Sequence, residues 1–354
     1  MKSNLTTLCY IERDEKYLML HRISKEKDIN KDKWIGVGGH FEEGESPEEC
    51  LLREVKEETG LTLTAWRFRG IITFASENYQ TEYMCLYTAD GFEGELADCD
   101  EGCLEGVEKK KIRELNLWDG DRLFFELLNR EEPFFSLKLC YKADGTWQKA
   151  VLNGRELELF DVCSGDGFPT GRVKERSMIH RDGDFHRTVH MWIVRKREDG
   201  GFDVLLQKRS KNKDAYPGCY DISSAGHVHA GDNFETSALR ELEEELGIKA
   251  DAGDIKFIGF HTGDLKAEFW GSPFIDREIS AVYLYEKPVN ERELTLQESE
   301  VEEVVFMDYE TVLEGMKDGS LKNCIFPKEF AMVKEALLPD FSPEGVWVSE
   351  KFNF

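Results

Sequence analysis

The chain has 354 residues, 40% hydrophobic and 33% charged, with a formal net charge of −25. That length exceeds one ordinary domain and suits two, and the apolar content excludes a disordered chain. The acidic field excludes binding along a nucleic-acid polymer, although a small anion is admissible where metal ions mask the carboxylates.

In chain order, a strand is expected from Leu5 to Glu12, a turn over Arg13 to Lys16, and a second strand from Tyr17 to His21. A polar loop from Ile23 to Lys33 leads to the glycine-rich run from Trp34 to Gly39 and a charged helix from Pro47 to Thr59. Strands follow at Ile71–Phe74 and Tyr83–Tyr87, then a helix at Asp121–Asn129. A hairpin at Ser136–Tyr141 and Thr146–Leu152 turns at Ala143-Asp144-Gly145.

The order then starts again. After an opening from Leu157 and a turn over Ser164 to Gly171, strands are expected at Thr188–Arg195, Asp203–Gln207 and Tyr220–Ala225. A helix is expected from about Asn233 to Leu246, with Asp232 and Glu235 forming its capping box. This is a repeat of a whole domain. The expected division is 1–155 and 156–354.

Nine cysteines, with no C-x-x-C pair, read as reduced thiols of a cytosolic protein. The N-terminal segment lacks an apolar run long enough for a signal peptide or a span, so a soluble, cytoplasmic chain without a membrane partner is expected.

The chemistry lies in the repeated segment. In its first copy, Ser46 is a helix N-cap, Pro47 stands at the first helical position, Glu49 completes a capping box and Gly60 stops the helix. Between these caps, Glu54, Glu57 and Glu58 share one face at i, i+3 and i+4. They repel one another and lie toward the negative end of the helix dipole. A bound cation relieves both, and hard oxygen ligands suit Mg²⁺ or Mn²⁺. Arg53 can pair with Glu57 or reach back to Glu45. Taken alone, this run reads as a solvated surface helix.

The complete pattern is more specific: Gly39, five residues, Glu45, seven residues, Arg53-Glu54, then Glu57-Glu58 and Gly60-Leu61. It resembles the Nudix box without a departure. The second copy runs from Gly226 through Asp232, Arg240-Glu241 and Glu244-Glu245 to Gly247-Ile248. Here Asp232 stands where the pattern has Glu, which shortens the partner of Arg240.

The resemblance implies an α/β fold of tandem α/β/α sandwiches, each with a mixed sheet and a box helix. It implies divalent-metal hydrolysis of a nucleoside or other diphosphate substrate, with a homodimer admissible. By position, Glu54, Glu57, Glu58 and the Gly39 carbonyl would hold the first metal. Glu241, Glu244, Glu245 and Gly226 would hold the second.

The first half resembles 8-oxo-dGTP diphosphatases in the run from Trp34 to Gly39 and in Ile112 to Asp121. That likeness suggests Asp119 or Asp121 reading a purine edge, with Trp118 or Trp34 stacking on the base. The plainer reading makes Asp121 a helix cap. Glu105 matches an acidic position that supplies a further ligand or base, although Gly106 follows where an aromatic is usual.

The second half resembles the isopentenyl-diphosphate isomerase-like branch in Phe185 to Trp192, Leu205 to Ser210 and Asp221 to His227. The isomerases carry a cysteine before the Gly-His of the box. Ala225 stands there, which opposes isomerisation and favours the hydrolases of that branch. Glu278 matches the isomerase's second acid and equally fits a metal ligand. His186, His190 and His227 are further candidate ligands, and Lys208, Arg209, Lys211 and Lys213 candidate phosphate contacts. A metabolite sensor in one domain is the alternative of a different class. Specificity is expected in the loops Ser76–Gln80 and Phe260–Pro273.

Overall fold

The computed structural model describes residues 4–24, 28–213, 216–269 and 272–353. The chain folds as two compact units, Met1–Leu159 and Phe160–Phe354. In the first, the elements are β1 (Asn4–Arg13), β2 (Lys16–His21), β3 (Trp34–Ile35), α1 (Pro47–Thr59), β4 (Thr62–Ser76), β5 (Tyr79–Glu93), β6 (Cys103–Glu108), α2 (Asp121–Asn129), β7 (Phe135–Tyr141), β8 (Trp147–Leu152) and β9 (Arg155–Leu157). The sheet order is β3-β2-β1-β5-β4-β7-β8-β9, with β6 also on β2. The β1·β5 and β4·β7 pairs are parallel within an otherwise antiparallel sheet.

Alternation along β1 explains why helices cover both faces. Cys9 and Ile11 pack with Leu51 and Val55 of α1. Tyr10 points the other way and meets Tyr17, Phe124 and Phe125, the latter two from α2. The two-residue turn before β2 carries Asp14 and Glu15 at φ 52° and 57°, the left-handed pair that a tight hairpin requires. The division between the units falls after Leu159 because β9 hydrogen-bonds back to β8 and so extends the first sheet.

The second unit's elements are β10 (Leu159–Cys163), β11 (Pro169–Glu175), α3 (Arg176–Asp182), β12 (Phe185–Lys196), β13 (Phe202–Arg209), β14 (Tyr220–Asp221), β15 (Ser224–His227), α4 (Phe234–Leu246), β16 (Ile255–Phe269), β17 (Ser272–Tyr285), β18 (Val301–Asp308), α5 (Tyr309–Asp318), α6 (Pro327–Ala336) and β19 (Trp347–Asn353). The parallel pairs recur as β12·β17 and β16·β19. On one face, Val189, Met191 and Ile193 pack with Ala238, Leu242 and Leu246 of α4. On the other, Trp192 and Val194 pack with Phe330 and Val333 of α6.

Two local expectations need correction. The N-cap of α4 is Asn233, whose side chain accepts the Thr236 amide at 2.9 Å, and not Asp232. Asp and Asn both cap well, so adjacent copies leave the helix start ambiguous by one residue. Strands β4 and β5 each run 15 residues, far beyond the apolar runs expected within them, because they pair with each other along their length. Residues 270 and 271 of the expected specificity loop, and 25–27 of the first polar loop, lie outside the described residues. Among the described residues no helix is long and apolar enough to cross a membrane.

Candidate active sites

The helix α1 is held at both ends as its sequence dictates. Ser46 Oγ accepts the Glu49 amide at 3.2 Å, Glu49 Oε2 accepts the Ser46 amide at 2.8 Å, and Gly60 closes the helix at φ 74°. Such a cap is worth about 1 kcal/mol. Buried Leu51 and Val55 fix the helix's rotation, which turns Glu54 and Glu58 toward the box loop.

The loop closes on these carboxylates. The Gly38 amide donates to Glu58 Oε2 at 3.0 Å. A Cβ at Gly39 would lie 2.4 Å from Glu54 Oε2, so only glycine admits the carboxylate there. The Gly39 carbonyl accepts the Thr7 amide at 2.9 Å and the Cys50 thiol at 3.7 Å. Arg53 braces the group. Its Nε and Nη2 reach the two oxygens of Glu45 at 2.7 and 2.9 Å, and its Nη1 reaches Glu54 at 2.7 Å and Glu57 at 3.3 Å. This pairing holds the Glu45 carboxyl down at about 2.

In the second unit, a Cβ at Gly226 would lie 2.0 Å from the Glu241 carboxyl carbon. The Ala225 amide donates to Glu245 Oε2 at 3.1 Å. Burial, with Glu241 adding to it, pushes the Glu245 carboxyl up to about 7. Arg240 pairs with Glu241 at 2.8 Å and Glu244 at 3.1 Å and donates to the His227 carbonyl at 2.9 Å. Its buried Nε has no hydrogen-bond partner.

Around these helices the remaining candidates separate. Asp121 is buried, and desolvation lifts its carboxyl to about 7. It opens α2 without capping it, since the N-cap is Gly120. Asp119 pairs with Arg122 at 3.0 Å. Trp34 stacks flat on His21 at 4.4 Å, so one of its faces is taken. Trp118 packs edge-on against Phe74 and Tyr141, donates to Asn30 at 2.8 Å, and has Lys33 over its ring at 4.9 Å. Glu105 is exposed and pairs in register with Met19. That register puts it on the sheet face of Tyr17 and α2, opposite the face on which α1 packs.

The basic cluster of the second unit also divides. Lys208 pairs with Glu302 at 3.7 Å and Glu303 at 3.2 Å. Lys211 pairs with Glu302 at 3.1 Å. Arg209 is largely buried, pairs with Asp221 at 2.8 Å, and feels the charge of Glu245. Lys213 pairs with Glu300 and likewise feels Glu245.

Sequence reasoning named His186 and His227 but missed His180 and Asp276. The ligand atoms of His180, His186 and His227 lie within 4.8 Å of one another, as do those of His186, Asp276 and Glu278. His180 Nε2 and His186 Nε2 stand 3.4 and 3.5 Å from Asp276, and His227 Nε2 stands 3.8 Å from Glu278. His186 Nε2, His227 Nε2 and Asp276 Oδ1 are buried without a hydrogen-bond partner. Burial lowers His186 to about 4 and lowers His227 as well, so both rings are neutral and able to bind a metal. His180 escaped notice because it sits on a seven-residue helix, too short to show a period.

The geometry of a glycine loop closed on a braced carboxylate helix thus occurs in both units. The NUDIX domain family matches residues 2–128 and 184–325. The chain belongs to the Nudix hydrolase family. This Nudix hydrolase is 44% identical over 160 residues to Nudix hydrolase 3 of Arabidopsis thaliana, across 43% of this chain and 19% of that protein. It is 37% identical over 167 residues to an uncharacterized Nudix hydrolase of Clostridium acetobutylicum, across 46% of this chain and 78% of that one. It is 34% identical over 112 residues to the oxidized purine nucleoside triphosphate hydrolase of Danio rerio, across 31% of this chain and 71% of that one. The chain therefore spans less than a fifth of the Arabidopsis protein and about three quarters of the Clostridium one. Nudix hydrolases cleave diphosphate linkages and depend on divalent metal.

Proposed function

We propose that this chain is a two-site, Mg²⁺-dependent pyrophosphohydrolase whose first unit converts a purine nucleoside triphosphate, an oxidised one foremost, to the monophosphate and pyrophosphate. The observation that carries this reading is the contact of Glu54 on Gly39, repeated by Glu241 on Gly226, with no room for a Cβ at either glycine. Carboxylates crowded against a glycine, in the space a Cβ would fill and beside further acids, make a cradle for a hard divalent ion. Glu54, Glu57, Glu58 and the Gly39 carbonyl would hold it in the first unit, and Glu241, Glu244, Glu245 and Gly226 in the second. When bound, Mg²⁺ or Mn²⁺ neutralises the phosphate oxygens and lowers the pKa of water for attack at phosphorus.

The chain's own residues do the rest. Arg53 and Arg240 each brace the carboxylates through Nη1, which reaches Glu54 and Glu57 in the first unit and Glu241 and Glu244 in the second. Glu105 is left out of this set, because its register with Met19 puts it on the sheet face opposite α1. Asp121, whose carboxyl burial lifts to about 7, can donate a hydrogen bond to a purine carbonyl in its protonated form, and the face of Trp34 turned away from His21 can stack on the base. The likeness to the Danio rerio enzyme supports an oxidised purine.

The second unit would cleave a different diphosphate compound. Arg209 would contact its phosphate, and the cluster of His180, His186, His227, Asp276 and Glu278 would hold a second metal. Ala225 in place of the isomerase thiol opposes allylic proton transfer.

A panel of nucleotides and diphosphate compounds, assayed with Mg²⁺ on wild type, Glu57→Gln and Glu244→Gln, tests this. Each substitution is expected to abolish one set of activities and spare the other. Nucleotide hydrolysis that survives Glu57→Gln would show the first-site assignment to be wrong. Tight nucleotide binding with no turnover on the whole panel would favour a sensor.

A further inference from the structure

Behind the second site, a distinct set of ionisable groups is sealed in the core. His190 lies on β12, His261 on β16 and Glu329 in the first turn of α6. His261 and Glu329 have no solvent exposure and His190 has 5%. His190 Nδ1 stands 2.8 Å from Glu329 Oε2, and His261 Nδ1 stands 3.4 Å from the same oxygen. All three ligand atoms lie within 4.8 Å of one another. Neither ring nitrogen of His261 has a hydrogen-bond partner, although the ring is fully buried.

We propose that His190, His261 and Glu329 form a buried site for a divalent transition metal of the Zn²⁺ class, separate from both Nudix boxes and from the His180 cluster. Ligands about 2.0–2.1 Å from a tetrahedral ion stand roughly 3.3 Å apart, close to the spacing between His261 and Glu329. Imidazole nitrogens suit Zn²⁺ and not Mg²⁺, so this site and the boxes would select different ions.

The surrounding groups have the arrangement that metal-bound histidines need. A ligating histidine points its other nitrogen at a carboxylate or carbonyl, which fixes the ring and its tautomer. His261 Nε2 faces Glu350 of β19 at 3.4 Å, and His190 Nε2 faces Glu278 at 4.0 Å. Trp192 Nε1 donates to the second oxygen of Glu329 at 2.9 Å, which leaves Oε2 turned to the histidines. A neutral His261 without metal would point a lone pair at one of the two carboxylates that flank it. A cation at Nδ1 removes that conflict. The competing arrangement is a metal-free chain of protonated histidines and carboxylates.

The two differ in metal content. The full chain carrying His180→Asn, His186→Asn and His227→Asn, which removes the three histidines of the neighbouring cluster, is loaded with Zn²⁺ and dialysed against a weak chelator. One Zn²⁺ per chain is expected to remain, and adding His261→Asn or Glu329→Gln is expected to remove it. Retention of no Zn²⁺ by the background chain, or equal retention after His261→Asn, would overturn the proposal. If the added substitutions prevent folding, Co²⁺ titrated into the metal-free background chain decides. Visible absorption typical of nitrogen-ligated Co²⁺ at one equivalent supports the site, and its absence overturns it. Neither outcome depends on hydrolysis, so the fate of the proposed function is read separately.

Discussion

Glu45 grips Arg53 with both carboxylate oxygens, at 2.7 and 2.9 Å, whereas Asp232, its counterpart in the second unit, makes no ion pair with Arg240. The missing methylene leaves Arg240 Nε buried without a partner. Asp232→Glu is therefore expected to restore the fork and stabilise the second unit by about 1 kcal/mol, the worth of one hydrogen bond. That corresponds to a rise of roughly 2–4 °C in melting temperature. Glu45→Gln should lower the melting temperature of the first unit. Calorimetry on the three chains checks both signs, and no rise with Asp232→Glu would mean that Arg240 is satisfied by water.

The glycine–carboxylate contacts yield a sharper test. An Ala Cβ at Gly39 would sit 2.4 Å from Glu54 Oε2, and at Gly226 2.0 Å from the Glu241 carboxyl carbon. Each side chain must then swing out of the cradle. Displacement by about 1 Å costs on the order of 100-fold in rate. Gly39→Ala should lower kcat for nucleotide hydrolysis by at least that factor with circular dichroism unchanged. Gly226→Ala should do the same only to the activity of the second unit. A loss below tenfold in either would show that the glycine is not holding its carboxylate.

Metal removal has a thermodynamic signature beyond lost activity. The clustered carboxylates repel when no cation is bound, and a ligand that binds only the folded state stabilises it by about 2.7 kcal/mol at a hundredfold excess over Kd. Chelation is expected to abolish hydrolysis and lower the melting temperature, and added Mg²⁺ to restore both. Glu54→Gln should shrink the Mg²⁺-induced shift of the first unit alone. An unchanged melting curve with and without Mg²⁺ would count against metal held by the boxes.

The parts of the structure legible in the sequence were those specified by neighbours in the chain. The ends of α1 at Pro47 and Thr59 follow from Ser46, Pro47, Glu49 and Gly60, which act within a few residues. The helix Asp121–Asn129 was likewise legible from its apolar run. The metal-capable clusters were not, because their members come from distant segments. His180, His227 and Asp276 meet only once α3, β15 and β17 are assembled. Glu329 lies 139 residues from His190. Lys208 and Arg209 looked alike as adjacent cations, yet the acids of β18 take one and Asp221 takes the other. Pairing partners across a sheet decide such cases, and a linear pattern does not contain them.

Asp121 gives the first unit a pH dependence of predictable sign. Burial holds its folded carboxyl at about 7, against about 3.9 unfolded. The folded state therefore binds the proton more tightly. The stabilisation is complete below about pH 4 and is lost as the pH rises through 7. The full span is on the order of 2–4 kcal/mol. Asp121→Asn keeps the neutral shape and removes the ionisation, so its stability relative to wild type should grow between pH 5 and pH 8. Urea unfolding of both chains at the two pH values measures this directly. If Asp121 also donates to the purine in its neutral form, wild-type KM for the nucleotide should rise over the same interval while that of Asp121→Asn stays flat. Parallel stability profiles in the two chains would mean that the carboxyl is ionised in the folded protein and cannot serve as that donor.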